Sequence, residues 1–105
     1  MVQRAELLER VKHAVHEIEP EADIVLYGSR ARGDAHAESD WDFLILLDGV
    51  VDDARTDAIR HRLYEIEWDC GEVLCSIVRS RQEWGSSLQQ ATPFARRLRE
   101  QGNRM

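Results

Sequence analysis

Ile24-Val25-Leu26-Tyr27-Gly28-Ser29, followed after ten intervening residues by Asp40-Trp41-Asp42-Phe43-Leu44-Ile45-Leu46-Leu47, is the stretch that decides the fold of this chain. Ile24 to Tyr27 is a short β-branched and aromatic run closed by a glycine, the pattern of a buried strand. In the second run, Trp41, Phe43, Ile45 and Leu47 fall on one face and Asp40, Asp42, Leu44 and Leu46 on the other. That predicts a strand apolar on both sides except where the two aspartates sit. Gly28 to Ser39 is a polar connection between the strands.

Outward from these strands the periodicity changes. Leu8, Val11, Val15 and Ile18 recur at helical spacing, and Glu19-Pro20 ends the pattern, because a residue before proline avoids the helical region. This predicts a first helix over Gln3 to Ile18. On the other side, Asp52 and Asp53 are caps for a helix with the core stripe Ile59, Leu63 and Ile66. Gly71 then separates that helix from a third strand predicted over Glu72 to Val78. Ser80 and Glu83 form a capping box. Thr92-Pro93 starts a last helix carrying Phe94 and Leu98, with Gly102 as its terminator. The order α-β-loop-β-α-β-α predicts an α+β architecture, helices packed on a small sheet.

A chain of 105 residues is the size of one domain, so 1–105 is expected to form a single unit. With 43% hydrophobic and 32% charged residues, the composition is that of a folded soluble protein. No apolar signal core or membrane-length apolar stretch is present, which sets the expectation of a cytoplasmic protein without membrane contact. The net charge of -6 argues against broad nucleic-acid binding. Positive charge gathers locally at Arg30/Arg32 and at Arg96, Arg97 and Arg99, leaving room for an anion site or an acidic partner face. A solvated helix face is the commoner reading of the latter run. Cys70 and Cys75 lack zinc spacing and read as buried reduced thiols.

Asp40 and Asp42, at i and i+2 on a strand, place their Cα atoms about 6.6 Å apart on one face. Their carboxylates can converge on one cation, and a hard, oxygen-rich site suits Mg2+, which completes its shell with water and substrate phosphates. An isolated pair of this kind more often only blunts a strand end, so the context matters. Gly28-Ser29 directly follows a strand, offering backbone N–H groups and a hydroxyl to phosphate oxygens. Arg30 and Arg32 stand beside it, as phosphate neutralisers or as structural salt bridges that fix the loop.

Gly28-Ser29-Arg30-Ala31-Arg32-Gly33, followed by Ser39-Asp40-Trp41-Asp42, resembles the G-S-x10-D-x-D signature of the polymerase-β-like nucleotidyltransferase superfamily in its minimal form. The motif is short, but the order of elements around it agrees across nearly the whole chain. The resemblance implies a palm-like core with a small mixed sheet. It makes Asp40 and Asp42 metal ligands and catalytic, Gly28 and Ser29 contacts to the terminal phosphates of the nucleotide, and Ser39 a cap on the approach to the metal strand. It implies Mg2+ as cofactor and ATP as the AMP-donating substrate.

The chain departs from this family at the third carboxylate, expected on the strand after the second helix. In Glu72-Val73-Leu74-Cys75-Ser76-Ile77-Val78, Ser76 stands at the central position and Glu72 is the nearest acid on its face. This puts transfer in doubt more than nucleotide binding, and it sustains a second reading as a weak or inactive nucleotide-binding module. No acceptor-shaping domain is legible, so the acceptor is expected on a partner protein. Minimal members are similar to antitoxins that pair with a HEPN-domain toxin and adenylylate it. A second copy of the chain is the other partner expected. His36 reads as a solvated loop residue or a substrate contact. His13, His16 and His61 lie in helical stretches without a triad, and Trp41, Trp68 and Trp84 read as core or interface.

Overall fold

The computed structural model describes residues 4–28, 30 and 40–105. In chain order its elements are α1 (Arg4–Ile18), β1 (Asp23–Tyr27), β2 (Trp41–Leu47), α2 (Asp53–Cys70), β3 (Leu74–Ser80), α3 (Arg81–Trp84), α4 (Ser87–Gln90), α5 (Pro93–Gln101) and β4 (Asn103–Arg104). The strands form one mixed sheet in the order β3-β2-β1-β4. β1 is antiparallel to both β2 and β4, while β2 and β3 run parallel, joined by the α2 crossover. The expected α+β fold, a small mixed sheet with helices on it, is the one observed.

The main core lies between one sheet face and the pair α1 and α2. Ile24 and Leu26 of β1, and Trp41, Phe43, Ile45 and Leu47 of β2, meet Leu7, Val11 and Val15 of α1 and Ile59, Leu63 and Ile66 of α2. Each of these is nearly inaccessible, and burying an aliphatic or aromatic side chain of this size stabilises by roughly 1.5–3 kcal/mol. The alternation read from the sequence therefore holds on β2. The α1 stripe differs by a rotation: Leu7, Val11, Ala14 and Val15 are buried, Leu8 is only partly so, and Ile18 is exposed. Leu7, Val11, Ala14 and Val15 form a complete i, i+4, i+7, i+8 stripe, and Ile18 lies beyond its end.

Local signals set the element ends. Asp52 caps α2 by accepting from the Arg55 N–H at 2.9 Å, and Gly71 terminates it in the left-handed conformation, φ 72°. Ser80 accepts from the Glu83 N–H, and Thr92 accepts from the Ala95 N–H ahead of Pro93. Arg55 clamps the β2–α2 turn, donating to Glu19 and to the carbonyls of Asp48 and Val50. Arg81 ties Asp23 and Asp48 together, and Arg104 of β4 donates to the same Asp23 at 2.6 Å. These arginines fasten the sheet end away from Asp40 and Asp42.

One boundary departs from expectation with consequences for the site. The third strand covers Leu74–Ser80, not Glu72–Val78, because parallel pairing begins at Trp41↔Leu74. Residues 71–73 are the exit from α2. The register then places Cys75 beside Asp42 and Ser76 beside Phe43. Side chains opposite one another in a sheet share a face. Ser76 therefore lies on the core face, and Cys75 lies on the face of the aspartates.

Candidate functional site

The end of β1 and the start of β2 are antiparallel neighbours, and Tyr27 pairs in register with Asp42. The turn after Tyr27 thus sits against the Asp42 carboxylate. Gly28 has φ +76°, and a Cβ built on it would lie 2.5 Å from Asp42 Oδ2 and 3.3 Å from its carboxyl carbon. Only glycine admits that backbone at so short a distance. Gly28 consequently brings bare backbone and the Asp42 carboxylate together, as the two halves of the motif require.

Asp42 is partly buried and Asp40 is exposed. Burial, and after it the charge of Asp40, raises the Asp42 carboxyl above the ordinary carboxylate range. Among the described residues no arginine or lysine pairs with either carboxylate. The Cys75 thiol points at Asp40 Oδ2 at 3.8 Å. Burial, then Asp40 and Asp42, pushes this thiol up, so it is neutral at physiological pH. The Tyr27 hydroxyl is raised in the same way, by burial first and Asp42 second. A partly desolvated carboxylate next to a second one, with no counter-charge among the described residues, is costly unless a cation joins them. Two hard oxygen donors of this sort are a set that suits Mg2+, with water and phosphate filling the remaining positions.

No third acid stands beside the pair: among the described residues there is no group of three or more acids, histidines and cysteines placed to hold a metal. Glu72 is engaged elsewhere. Its carboxylate accepts from the Trp41 indole at 3.4 Å and faces Arg30 at 3.7 Å. The Arg30 guanidinium also lies 4.3 Å from the centre of the Trp41 ring. Trp41 is buried on the core face, opposite Asp42, so the three side chains form a structural cluster behind the carboxylates. Of the residues singled out in the sequence, Gly28, Asp40 and Asp42 are brought together. Arg30 makes the salt bridge named above. Ser29, Arg32, Ser39 and His36 lie outside the described residues.

The sequence profile of the nucleotidyltransferase domain family matches residues 8–86, which include both halves of this site. The chain belongs to the nucleotidyltransferase domain family. Solved structures agree in fold. A crystal structure of a toxin–antitoxin with AMP-PNP superposes with a TM-score of 0.64 at 16% identity, covering 91% of this chain and 69% of that one. A crystal structure of a mutant of the toxin–antitoxin MntA-HpeT gives 0.59 at 13% identity, covering 98% and 72%. None of the curated proteins matches the chain.

Within this family frame, the residue missed in the sequence is Cys75. Its place in an apolar run suggested an inert buried thiol, yet it is half-exposed and adjoins the aspartates. The parallel register with β2 decides this, since it pairs Cys75 with Asp42 and a slip of one residue would exchange the two faces. His13 and His61 pair with Glu17 and Glu65 on their own helices, and His16 contacts the Ala22 carbonyl, so none of them belongs to the site.

Proposed function

We propose that this chain transfers AMP from ATP, in a Mg2+-dependent reaction, to a hydroxyl presented by a partner protein. The observation that carries the reading is the closeness of Gly28 to a partly buried Asp42 that, among the described residues, has no basic partner and stands beside Asp40. Asp40 and Asp42 would hold the cation. The Gly28 N–H, with Ser29 and Arg32 of the motif, would hold the phosphates, and Ser39 would lead the chain into the metal strand. Attack by the acceptor hydroxyl oxygen on the α-phosphorus forms the new P–O bond, breaks the bond to the leaving pyrophosphate and releases the hydroxyl proton to solvent. Bound Mg2+ supplies neutralisation of charge on the transferred and leaving oxygens. The likeness in fold to toxin–antitoxin structures, one of them with AMP-PNP, supports a nucleotide substrate and a toxin as the partner. A HEPN-domain toxin is the partner that the motif resemblance favours.

Cys75 favours a second reading. A neutral thiol at the position facing Asp42 supplies no charge to a second cation, and nucleotide binding without efficient transfer follows from that. Calorimetric titration with Mg-ATP tests what both readings share. Parent protein should bind, and Asp40→Asn and Asp42→Asn should each weaken binding on the order of tenfold or more while the fold survives. Unchanged affinity in both variants contradicts the metal assignment. Transfer of label to the partner then separates enzyme from binding module.

A further inference from the structure

A cavity of about 160 Å3 lies directly beside the phosphate turn, lined by Tyr27, Gly28, Phe94, Arg97, Leu98 and Gln101. Tyr27 is in register with Asp42 on the neighbouring strand, so the side chain of Tyr27 that lines the cavity shares the face of the carboxylates. Its walls are aromatic and apolar. The Tyr27 and Phe94 rings meet edge to face with centroids 5.3 Å apart, and Trp84 supports Phe94 from 5.9 Å. Leu98 is buried beneath them. Such a corner leaves ring surface against which a further flat ring packs.

The rim is polar and uncommitted. On the same helix, Arg96 pairs with Glu100 and Arg99 donates to Gln90. Arg97 and Gln101, which line the cavity, have no hydrogen-bond or ion-pair partner among the described residues. A guanidinium stacks on planar rings, and a glutamine amide presents a donor and an acceptor side by side, the pattern that matches an adenine edge. The volume is about that of one planar ring system.

We propose that this cavity, between the end of β1 and α5, receives the base of the nucleotide, with Tyr27 and Phe94 as its apolar walls and Arg97 and Gln101 at its polar edge. The assignment rests on the phosphate and metal reading above. Gly28 borders both subsites, so one small molecule reaches from the carboxylates into the cavity. Helix α5 thereby becomes the element that selects the nucleotide, while the motif residues hold phosphates common to all of them.

The test compares calorimetric binding of Mg-ATP, Mg-GTP and Mg-tripolyphosphate by the parent, Arg97→Ala and Gln101→Ala. Both substituted positions are exposed, and thermal unfolding verifies that the variants remain folded. Parent protein should bind Mg-ATP more tightly than Mg-tripolyphosphate. Each variant should lose on the order of tenfold in Mg-ATP affinity with tripolyphosphate binding unchanged, and Gln101→Ala should lose preference for ATP over GTP. Equal affinity of the parent for Mg-ATP and Mg-tripolyphosphate, or variants that bind ATP like the parent, overturns the base site alone. Variants that bind ATP normally but transfer less label would make the cavity an acceptor site and also overturn it. A parent that binds neither ATP nor tripolyphosphate removes the phosphate reading, and this inference with it.

Discussion

Gly28→Ala should separate the two requirements that meet at the phosphate turn. An alanine at φ +76° incurs the left-handed penalty of about 1–2 kcal/mol. Its Cβ would also sit 2.5 Å from Asp42 Oδ2, so the carboxylate must retreat by roughly 0.9 Å to regain ordinary contact. Gly71→Ala is the matched control: φ is +72°, yet nothing lies within 4 Å of the added Cβ. Both variants should lose about 1–2 kcal/mol, a fall of roughly 4–16 °C in Tm for a domain of this size. Their effects on ligand should diverge, because Mg2+ demands nearly ideal oxygen geometry and tolerates little displacement of a carboxylate. Gly71→Ala should bind Mg-ATP like the parent in calorimetric titration, and Gly28→Ala should lose most of that affinity. Equal binding by the two variants would refute the claim that Gly28 is needed to seat Asp42.

Other expectations follow from the same geometry. Asp42 is raised in the folded state, so its charged form costs stability above that raised value, and the cost fades as pH falls through it. Metal-free Asp42→Asn should accordingly have a higher Tm than the parent near neutral pH, while Mg2+ with ATP should raise the Tm of the parent more than that of the variant. Cys75→Asp puts a third carboxylate next to Asp42. It should lower metal-free stability by about 1–2 kcal/mol and raise label transfer, whereas Ser76→Asp, in register with Phe43 on the core face, should destabilise by about 2–4 kcal/mol without raising transfer. Asp23 is held below the ordinary carboxylate range, first by Arg104 and then by Arg81 against a burial penalty. Its contribution is present above the unfolded value and lost as pH falls through the lowered folded one. Arg81→Ala should cost about 1–2 kcal/mol at neutral pH, and less under acid, in denaturant melts across pH.

Much of this molecule was legible because its local signals agree with its packing. β2 begins and ends where the alternation from Trp41 to Leu47 indicates, and α2 is bounded by Asp52 and Gly71 as their capping chemistry requires. The association of Gly28 with Asp40 and Asp42 was legible through the resemblance of Gly28-Ser29 and Asp40-Trp41-Asp42 to the nucleotidyltransferase signature, while the close approach of Gly28 to the Asp42 carboxylate was not. What escaped was set by partners distant in sequence. The β3 boundary depends on parallel pairing with β2, and that register, not the apolar run, decides whether Cys75 or Ser76 faces Asp42. Strand β4 has two residues and no periodicity, and it exists through pairing with Val25 and Leu26. The role of Arg30 likewise depended on where Trp41 and Glu72 lie in space.

The central claim is that Asp40 and Asp42 support transfer of a nucleoside monophosphate, and one labelling measurement tests it most directly. The parent chain and Asp42→Asn are each incubated with Mg2+ and the protein encoded beside this chain, using ATP labelled in parallel at the α- and the γ-phosphate. The account predicts that α-label becomes covalently attached to the partner, that γ-label leaves with pyrophosphate, and that Asp42→Asn transfers neither. Attachment of γ-label, or α-label transfer undiminished in Asp42→Asn, would contradict it.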